Sequence, residues 1–503
     1  MTALEFVEVL DLDELDGAAG PDSLNAGQNC RITPAIDDPA VHAAVWDLAE
    51  RRPDLSASQV MTVRQWRGLV VTVSVAAAFT AWFPRLAAGM WLVSAGAVFA
   101  VFVGFKMVVG LVGAFAPAPT YRELSDDELP VYTVLVPAFR EPEVIRLVTE
   151  NVTSIDYPQH LLDVILCLEA DDSATLDVIA EMELPACVRV LETPPMLPRT
   201  KPKACNLALA YARGELLTIF DAEDRPEPDQ LRKAVAAFRD GSDDVAVYQG
   251  ALNYFNAHEN ALASWFTVEY SAGFDTMLVG LDRLRLPIPL GGTSNHFRTD
   301  RLRQLGGWDP FNVTEDADLG IRAAAEGWRV GVLASTTFEE ANVEVGNWIR
   351  QRSRWIKGYM QTALVHARHP ARLVRRVGVK NAAGFAVLIG GTPLAFLVAP
   401  VLWLTTLVSL FRPSVLDGVL PAWARQVALL EMVVGNLMMV ATAVIAVVKR
   451  RQWKLTLWGL AMPIYWTLHS VASYKAIAQL VTRPFHWEKT NHGLSKHISS
   501  TAA

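Results

Sequence analysis

The sequence predicts an α/β domain, built on a largely parallel sheet, that is inserted between two groups of membrane helices. The chain has 503 residues and is 51% apolar, with a positive mean hydropathy that indicates a part lying in lipid. The long uncharged runs are confined to the two flanks of residues 120–370. Between those flanks, short apolar strands alternate with polar turns and helix-capable stretches, as they do in parallel sheets.

The charge and the cysteines exclude several classes of protein. A net charge of -8 gives no support to nucleic acid as a partner. The four cysteines lie far apart without a C-x-x-C pair, so neither a zinc site nor a disulfide framework is indicated. We interpret them as buried thiols in a reducing compartment.

Residues 1–67 are predicted to form a cytosolic N-terminal extension. They contain acids and arginines but no apolar core suited to a signal peptide. One amphipathic helix is expected from Pro39 to Arg52. Two interpretations of the extension stay open, a regulatory or partner-docking segment and a disordered tail.

Residues 68–118 are predicted to form a transmembrane hairpin. The stretches 69–83 and 86–105 are uncharged, and Lys106 lies inside an apolar continuation. A membrane span needs about 20 apolar residues, so two helices fit here. Two crossings return the chain to the cytoplasm, which makes this a multi-pass protein of the cell (inner or plasma) membrane with its domain of residues 119–370 in the cytoplasm.

Residues 371–483 are predicted to form the C-terminal membrane helices. Two long runs, 382–411 and 427–448, precede a basic loop that the positive-inside bias places in the cytoplasm. The last apolar stretch, Leu455 to Val481, contains Pro463 and Lys475. It either crosses the membrane a third time, or turns back or ends as an interfacial helix.

Carboxylates follow one of the predicted strands directly. The apolar run Leu216 to Phe220 stops at Asp221, Glu223 and Asp224, and two prolines then prevent its continuation. Ligands of open α/β sheets bind beyond the carboxyl ends of the strands. A cluster of oxygens suits Mg²⁺ or Mn²⁺, which can bridge a diphosphate. The alternative is an acidic turn that caps a helix.

Polar residues also follow three other predicted elements. VPAFREPE ends the first strand, and LEADDS ends the second with carboxylates that can accept hydrogen bonds from a base or a ribose. In TKPKACN, Lys201 and Lys203 are suited to phosphate, although such lysines are usually solvated. The predicted strands are 131–136, 163–168, 188–191, 216–220, 245–249 and 330–333.

Two later motifs carry further chemistry. In GGWDPFNVTEDADLGIR, acids lie at the start of a probable helix, where a carboxylate either caps the helix or acts as a general base. In WIRQRSRWIKGYMQT, helical spacing puts Gln351, Arg354 and Trp355 on one side. This face offers a cation for phosphate and a ring for a sugar, or forms an amphipathic helix on the membrane surface.

Taken in order, these motifs resemble those of the processive membrane-type family-2 glycosyltransferases, which include cellulose, chitin and hyaluronan synthases. The resemblance covers about residues 120–370 and the membrane segments on both sides. It implies a GT-A fold, a nucleotide-sugar donor with UDP-sugars favoured, and Mg²⁺ or Mn²⁺ as cofactor. The implied activity is a metal-dependent, inverting hexosyl transfer that extends a β-linked glycan and moves it through the membrane helices.

The resemblance also assigns roles to residues. Asp316 would be the catalytic base, and Asp221 and Glu223 the metal ligands, with Asp224 competing for the second place. Residues implied in nucleotide binding are Ala138, Arg140, Glu141, Glu169, Asp172, Lys203 and Arg354. Residues implied in acceptor binding are Gln351, Trp355, Glu315 and Trp308.

The tail, residues 484–503, resembles in place and content a loop that covers the nucleotide in cellulose synthases. Lys489 would then contact the diphosphate and Trp487 would plug the pocket. The alternative is an interfacial anchor.

Two other functions remain open. One is the transfer of a single sugar to a lipid or short acceptor. The other is a catalytically silent, nucleotide-sensing membrane receptor or scaffold. For the synthase, the expected partners are the nucleotide sugar, the growing glycan and the bilayer, with export or regulatory proteins as further possible partners.

Overall fold

The computed structural model of the protein describes residues 31–486 and residue 488. Within them, nine strands form one sheet. The strands are β1 (Arg31–Ile32), β2 (Tyr132–Ala138), β3 (Leu162–Glu169), β4 (Val188–Thr193), β5 (Leu216–Ile219), β6 (Arg225–Pro226), β7 (Val245–Tyr254), β8 (Asn295–Arg298) and β9 (Arg329–Glu339).

The sheet is mixed, with the order β1-β4-β3-β2-β5-β8-β7-β9-β6. Its first five strands pair in parallel, and β8 then enters antiparallel between β5 and β7. All six predicted strands are present. The three that were not predicted are the two-residue strands β1 and β6, and β8, whose NHFR sequence has no apolar run to mark it.

The helices surround this sheet and continue into the membrane region. They are α1 (Pro39–Arg51), α2 (Val63–Trp82), α3 (Pro84–Ala114), α4 (Ile145–Thr153), α5 (Ser173–Ala180), α6 (Lys201–Tyr211), α7 (Gln230–Asp240), α8 (Ala261–Ala272), α9 (Val279–Arg283), α10 (Thr299–Leu305), α11 (Glu315–Ala325), α12 (Val345–His366), α13 (Pro370–Phe385), α14 (Gly391–Phe411), α15 (Ala422–Leu430), α16 (Asn436–Lys449), α17 (Thr456–Leu460) and α18 (Met462–Thr482). Three π-helical segments join some of them: Gly273–Leu278, Ala386–Gly390 and Glu431–Gly435.

The sheet separates two apolar cores. Neighbouring residues of a strand point to opposite faces, so Val134 and Leu135 of β2 lie in different clusters. Every residue of β3 is buried, which explains why its sequence is a continuous apolar run rather than an alternating one. The carboxyl ends of β2, β3 and β5 therefore lie side by side at one edge of a rigid sheet.

Three helices of the described residues are long and apolar enough to cross a membrane: Pro84–Ala114, Pro370–Phe411 and Ala422–Lys449. Two of them follow the α/β domain. The other helix of the predicted hairpin, α2, buries none of its residues and exposes Val71 and Val75. Apolar side chains presented in this way are suited to lipid.

The last apolar stretch, α18, packs along α12 of the α/β domain. The indole Nε1 of Trp348 donates a hydrogen bond to the hydroxyl of Tyr465 over 3.0 Å. The imidazole of His469 meets the same indole edge to face, with ring centroids 4.9 Å apart. This packing favours the turned-back alternative over a third crossing.

Residues 31–62 pack against the domain. The helix α1 lies on α6, where Asn206 donates a hydrogen bond to the carbonyl of Ala44 over 2.9 Å. Further on, the buried carboxylate of Asp309 accepts a hydrogen bond from the amide of Ala57. Residues 31–62 are therefore an ordered part of the domain and not a disordered tail.

Candidate active site

A cavity of about 780 Å³ begins at the carboxyl ends of β2, β3 and β5 and extends between the membrane helices. Of the residues selected from the sequence, ten line it: Ala138, Glu141, Glu169, Asp221, Glu223, Glu315, Asp316, Gln351, Arg354 and Trp355. These residues come from five separate segments of the chain. The fold thus brings the predicted motifs to one place.

The acidic turn after β5 has an outer and an inner part. Asp221 and Glu223 line the cavity, whereas Asp224 is 2% exposed and lies behind it. One oxygen of Asp224 accepts hydrogen bonds from the amide of Asp221, over 2.7 Å, and from the hydroxyl of Thr293. Asp224 therefore holds the turn in shape, and Asp221 and Glu223 present their carboxylates to the cavity.

The environment of Asp224 is unusual for a carboxylate. Burial raises its pKa well above the ordinary value, and the nearby charges of Asp221 and Glu223 raise it further. Its second oxygen, Oδ1, is buried without a hydrogen-bond partner among the described residues. Burying a polar atom without a hydrogen-bond partner costs free energy. Such unpaired atoms are typical of positions close to a binding site.

Lys201, and not Lys203, faces the cavity. The Lys201 ammonium contacts the carboxylate of Asp221 and donates a hydrogen bond to the carbonyl of Gly292 over 2.7 Å. Lys203 is 1% exposed, and its Nζ lies 2.9 Å from Oε1 of Glu169. The assignment of Lys203 to the diphosphate therefore does not fit the structure, because its donors are used inside the domain.

Arg140 and Asp172 stabilise a loop next to the cavity rather than line it. Arg140 adopts a left-handed backbone conformation with φ 57°, and its amide donates a hydrogen bond to Asp172 over 2.5 Å. Asp172 also accepts from the amide of Thr175 at the start of α5. Asp172 therefore positions the loop that carries Ala138 and Glu141, and the exposed side chain of Arg140 lies outside the cavity wall.

The predicted role of Trp308 in acceptor binding does not fit the structure either. It is 3% exposed and packs edge to face on Phe297, with ring centroids 5.6 Å apart, inside the apolar core. Its amide and carbonyl both bond to the side chain of Asn206. A tryptophan enclosed in this way does not contact an acceptor.

Glu315 and Asp316 occupy the first turn of α11 and line the cavity. Oδ1 of Asp316 accepts a hydrogen bond from the amide of Ala317 over 2.7 Å. Burial raises the pKa of both carboxyls, and that of Glu315 is raised further by the charge of Asp316. A carboxylate with a raised pKa, facing a cavity, has the properties that a general base needs near neutral pH.

The helix α12 supplies the opposite wall through Gln351, Arg354 and Trp355. Nη1 of Arg354 donates a hydrogen bond to the carbonyl of Glu488 over 3.1 Å. Burial lowers the pKa of Arg354 to about 10, and the side chain remains a cation at neutral pH. The guanidinium of Arg352 stacks 4.6 Å from the ring centroid of Trp355 and fixes its orientation.

The segment after α18 lies on the same helix. The carbonyls of Pro484 and His486 accept hydrogen bonds from Gln361 and Lys357, over 3.0 and 2.6 Å. Trp487 and Lys489, the residues predicted to cover the nucleotide, lie outside the described residues. The residues on either side of position 487 therefore lie on α12: His486 contacts Lys357, and Glu488 contacts Arg354.

Three acids on the cavity wall were not selected from the sequence as part of the site. They are Glu339, which ends β9, its neighbour Glu340, and Glu269 on α8. None of them belongs to one of the motifs described above, so only the folded sheet and helices reveal them. Lys106 was noted in the sequence because it interrupts an apolar run, which is the signal that an intramembrane charge leaves.

The acidic turn is suited to a divalent cation that is shared with a ligand. No group of three or more metal-binding side chains is present among residues 31–486 and 488. Asp221 and Glu223 nevertheless offer two carboxylates to the cavity. Mg²⁺ is commonly held by one or two carboxylates plus phosphate oxygens, so this donor set fits a cation that binds together with a diphosphate.

Comparisons with known proteins agree with this geometry. Residues 130–358 match the profile of a family described as glycosyltransferase-like family 2. These residues are therefore similar to family 2 glycosyltransferase domains, and the predicted GT-A-like fold, with membrane-length helices on both sides, is confirmed.

Three relatives illustrate the similarity in sequence. A probable glycosyltransferase, YdaM, of Bacillus subtilis is 28% identical over 49% of this chain and 59% of its own length. A beta-monoglucosyldiacylglycerol synthase of Trichormus variabilis is 27% identical over 54% and 58%. A glucomannan 4-beta-mannosyltransferase of Arabidopsis thaliana is 28% identical over 48% and 47%. The chain thus spans about half of the length of these relatives.

Among solved structures, a mannosyltransferase from Pyrobaculum calidifontis, in complex with GDP-Man and Mn²⁺, aligns over 78% of this chain and 99% of its own, with a TM-score of 0.48 and 18% identity.

Proposed function

We propose that the protein is an inverting, metal-dependent polysaccharide synthase that transfers hexosyl units from a nucleotide sugar to a β-linked glycan and moves the product between its membrane helices. The observation that carries this proposal is the shape of the cavity. It joins the acids of the sheet edge and of α11 to Trp355, and then continues without interruption past α3 and α14. The proposed donor site, acceptor site and exit path would thereby be contiguous.

In the proposed reaction, Asp316 accepts the proton of an acceptor hydroxyl while that oxygen attacks the anomeric carbon of the donor. The sugar–phosphate bond breaks, and the nucleoside diphosphate leaves with the bonding electrons. Arg354 and Lys201 supply positive charge on the side of the leaving group. Trp355 offers its ring to the acceptor sugar, which orients the attacking hydroxyl.

Asp221 and Glu223 would hold Mg²⁺ or Mn²⁺ together with the diphosphate. The cation supplies charge stabilisation of the leaving group when it is bound. Ala138, Glu141 and Glu169, at the ends of β2 and β3, are placed to contact the nucleoside. We propose UDP-glucose as the first donor to test, followed by UDP-N-acetylglucosamine and GDP-mannose.

A second candidate function is the transfer of one sugar to a lipid. It is supported by the similarity to monoglucosyldiacylglycerol synthases and by the apolar walls of the cavity between the membrane helices. Both candidates predict nucleotide release, and they differ in the product.

The test is a donor screen on the purified protein with Mg²⁺ or Mn²⁺. Release of UDP or GDP identifies the donor, and linkage analysis of the product follows. A polymer supports the synthase, whereas a glycolipid or a free monosaccharide as the sole product contradicts it. Nucleotide binding without any release for every donor would point to the silent receptor instead.

A further inference from the structure

The part of the cavity that lies between the membrane helices contains a charge of its own. We call this part the inner cavity and define it by Lys106, Thr392, Phe396, Trp403, Asn436 and His469, all of which line the cavity. Lys106 is the feature that sets it apart, because a charged residue within a membrane span is costly and commonly marks a substrate path.

Lys106 faces the cavity from α3. Phe102, Lys106 and Gly110 follow one another at intervals of four residues and all line the cavity, so one stripe of the helix forms its wall. The next glycine on this helix, Gly113, touches the backbone of Thr276 so closely that a Cβ atom has no room. This contact fixes α3 against the π-helical segment, and with it the position of Lys106. The lysine lies about two turns, roughly 12 Å, from the end of the helix.

The ammonium group of Lys106 has no hydrogen bond or ion pair with residues 31–486 or 488. It lies over the ring of Phe102, 4.9 Å from the centroid. The carboxylate whose charge attracts Lys106, that of Glu269, is engaged with other residues. This carboxylate binds Arg352 and accepts hydrogen bonds from Tyr465, over 2.7 Å, and from the imidazole of His469.

Other polar atoms around the inner cavity also lack partners within the described residues. The indole Nε1 of Trp403 is buried without an acceptor, and Nδ1 of His469, a side chain that is 2% exposed, is buried without a hydrogen-bond partner. The ammonium and the indole can only donate hydrogen bonds. Among the described residues, the Lys106 ammonium therefore has no anion bound to it, and the Trp403 indole has no acceptor.

The π-helical segments support a functional role for this space. Each of the three contributes to the cavity wall, through Thr276, Leu388 and Gly435. Such segments occur frequently at functional sites.

A saccharide fits the inner cavity better than an acyl chain does. Aromatic rings at Phe396, Trp403 and Trp466 can stack on sugar faces. Thr392 and Asn436 add polar side chains to the wall of the same cavity, and an acyl chain cannot form hydrogen bonds with them.

We propose that the inner cavity holds an acidic saccharide, with Lys106 as the ion-pair partner of a sugar carboxylate. The proposal rests on the proposed function, because the occupant would be the glycan that accepts the sugar. It goes further in assigning a chemical class, since the polymer or its acceptor end would carry uronic acid or another carboxylated sugar.

The test measures binding in the absence of a donor, so that it does not depend on turnover. Oligogalacturonate and a neutral cello-oligosaccharide of the same length are titrated into the purified full-length protein in lipid nanodiscs. We expect the acidic oligomer to bind about tenfold more tightly, as one charge-assisted contact allows. Lys106→Met should remove this preference, and Lys106→Arg should retain it. Lys454→Met, at an exposed lysine outside the cavity, should behave like the unaltered protein.

Unchanged UDP binding by Lys106→Met shows that the variant is folded. Equal affinity of the unaltered protein for the two oligomers, or a preference that survives in Lys106→Met, overturns the proposal. Displacement of the acidic oligomer from Lys106 by phosphatidylglycerol in the nanodisc, but not by phosphatidylcholine, also overturns it in favour of a lipid phosphate. Preferential binding of the acidic oligomer, together with no nucleotide release from any donor, would contradict the proposed function but would still support this binding site.

Discussion

Glu223 and Asp224 are neighbours in the chain, yet the fold gives them different surroundings. Glu223 lines the cavity, whereas Asp224 is enclosed behind it and bonded to the amide of Asp221. The turn after β5 thus uses one acid for its shape and presents two to the cavity. Asp221 and Glu223, the two acids of this D-x-E motif, are the pair that lines the cavity.

This division predicts different effects for two conservative substitutions. Glu223→Gln should weaken Mn²⁺ binding in the presence of UDP by about tenfold or more, because it removes one of two anionic ligands. Asp224→Asn should lower the thermal unfolding midpoint, because it disturbs a buried hydrogen-bonded turn. Mn²⁺ affinity is measured by electron paramagnetic resonance and stability by thermal unfolding. A larger loss of Mn²⁺ affinity in Asp224→Asn than in Glu223→Gln would reverse the assignment.

Asp316 is expected to carry most of the base catalysis. Asp316→Asn removes the proton acceptor while it preserves the size of the side chain, so turnover should fall by about 10² to 10⁴. Donor affinity should change little, since the nucleoside contacts lie at β2 and β3. Nucleotide release and calorimetric UDP binding measure the two effects. Asp300→Asn, at an exposed position on α10, serves as the control, and equal turnover of the two variants would exclude Asp316 as the base.

The raised pKa of Asp316 also predicts a pH dependence. An acid whose pKa is raised by burial is protonated at a higher pH than an ordinary aspartate, whose value is about 3.9. A base must be deprotonated to act, so kcat should fall as the pH is lowered, and the fall should begin well above that ordinary value. The profile of kcat against pH, measured at saturating donor, tests this. A rate that stays constant down to about pH 4.5 would be incompatible with it.

At the scale of elements, the position of the base depends on the packing of α11 against α12. Asp318 lies one turn into α11, and its carboxylate binds Arg322 and His366, over 2.7 Å each. Arg322 continues to the carbonyls of Leu305 and Gly307. The network joins the turn before α11, the helix itself and the end of α12.

Breaking this network should destabilise the domain. Arg322→Met leaves the carboxylate of Asp318 and two carbonyls without their main donor in a fully buried place, which typically costs about 3 to 5 kcal/mol. Urea unfolding of the purified protein in detergent measures the loss. Arg375→Met, on the exposed face of α13, is the matched control. A loss below about 1 kcal/mol for Arg322→Met would show that the network contributes little.

The sequence identified those parts of the fold and site that leave a local pattern. The buried strands β2, β3 and β5 are largely apolar runs, and the acids that follow β5 directly mark the edge of the sheet at which the cavity begins. The sequence did not predict which of the two nearby lysines, Lys201 or Lys203, faces the cavity. That depends on how the helix α6 is rotated relative to β3. The prediction for Trp308 failed for a related reason. A tryptophan next to an acidic motif has the same local sequence whether it contacts a sugar or packs in an apolar core.

At the scale of the whole molecule, the segment after α18 leads to a prediction of the membrane topology. Its carbonyls at Pro484 and His486 accept hydrogen bonds from side chains of α12, a helix of the α/β domain. We therefore expect the chain to return to the side of the membrane on which the domain lies. If the two long helices after the domain, Pro370–Phe411 and Ala422–Lys449, each cross once, the loop between them lies on the opposite side and α18 need not cross.

This topology predicts the labelling of two engineered cysteines in intact cells. Val415→Cys, 64% exposed in the loop after α14, should react with a membrane-impermeant maleimide from outside, and Phe485→Cys, 50% exposed, should react only after permeabilisation. Cys30 is replaced by serine in both, while Cys167, Cys187 and Cys205 are buried and remain. Each variant controls for the other, because both sites are exposed in the same fold. Labelling of both from outside would require α18 to cross the membrane, and the contacts of Pro484 and His486 with α12 would then have to be absent in the cell.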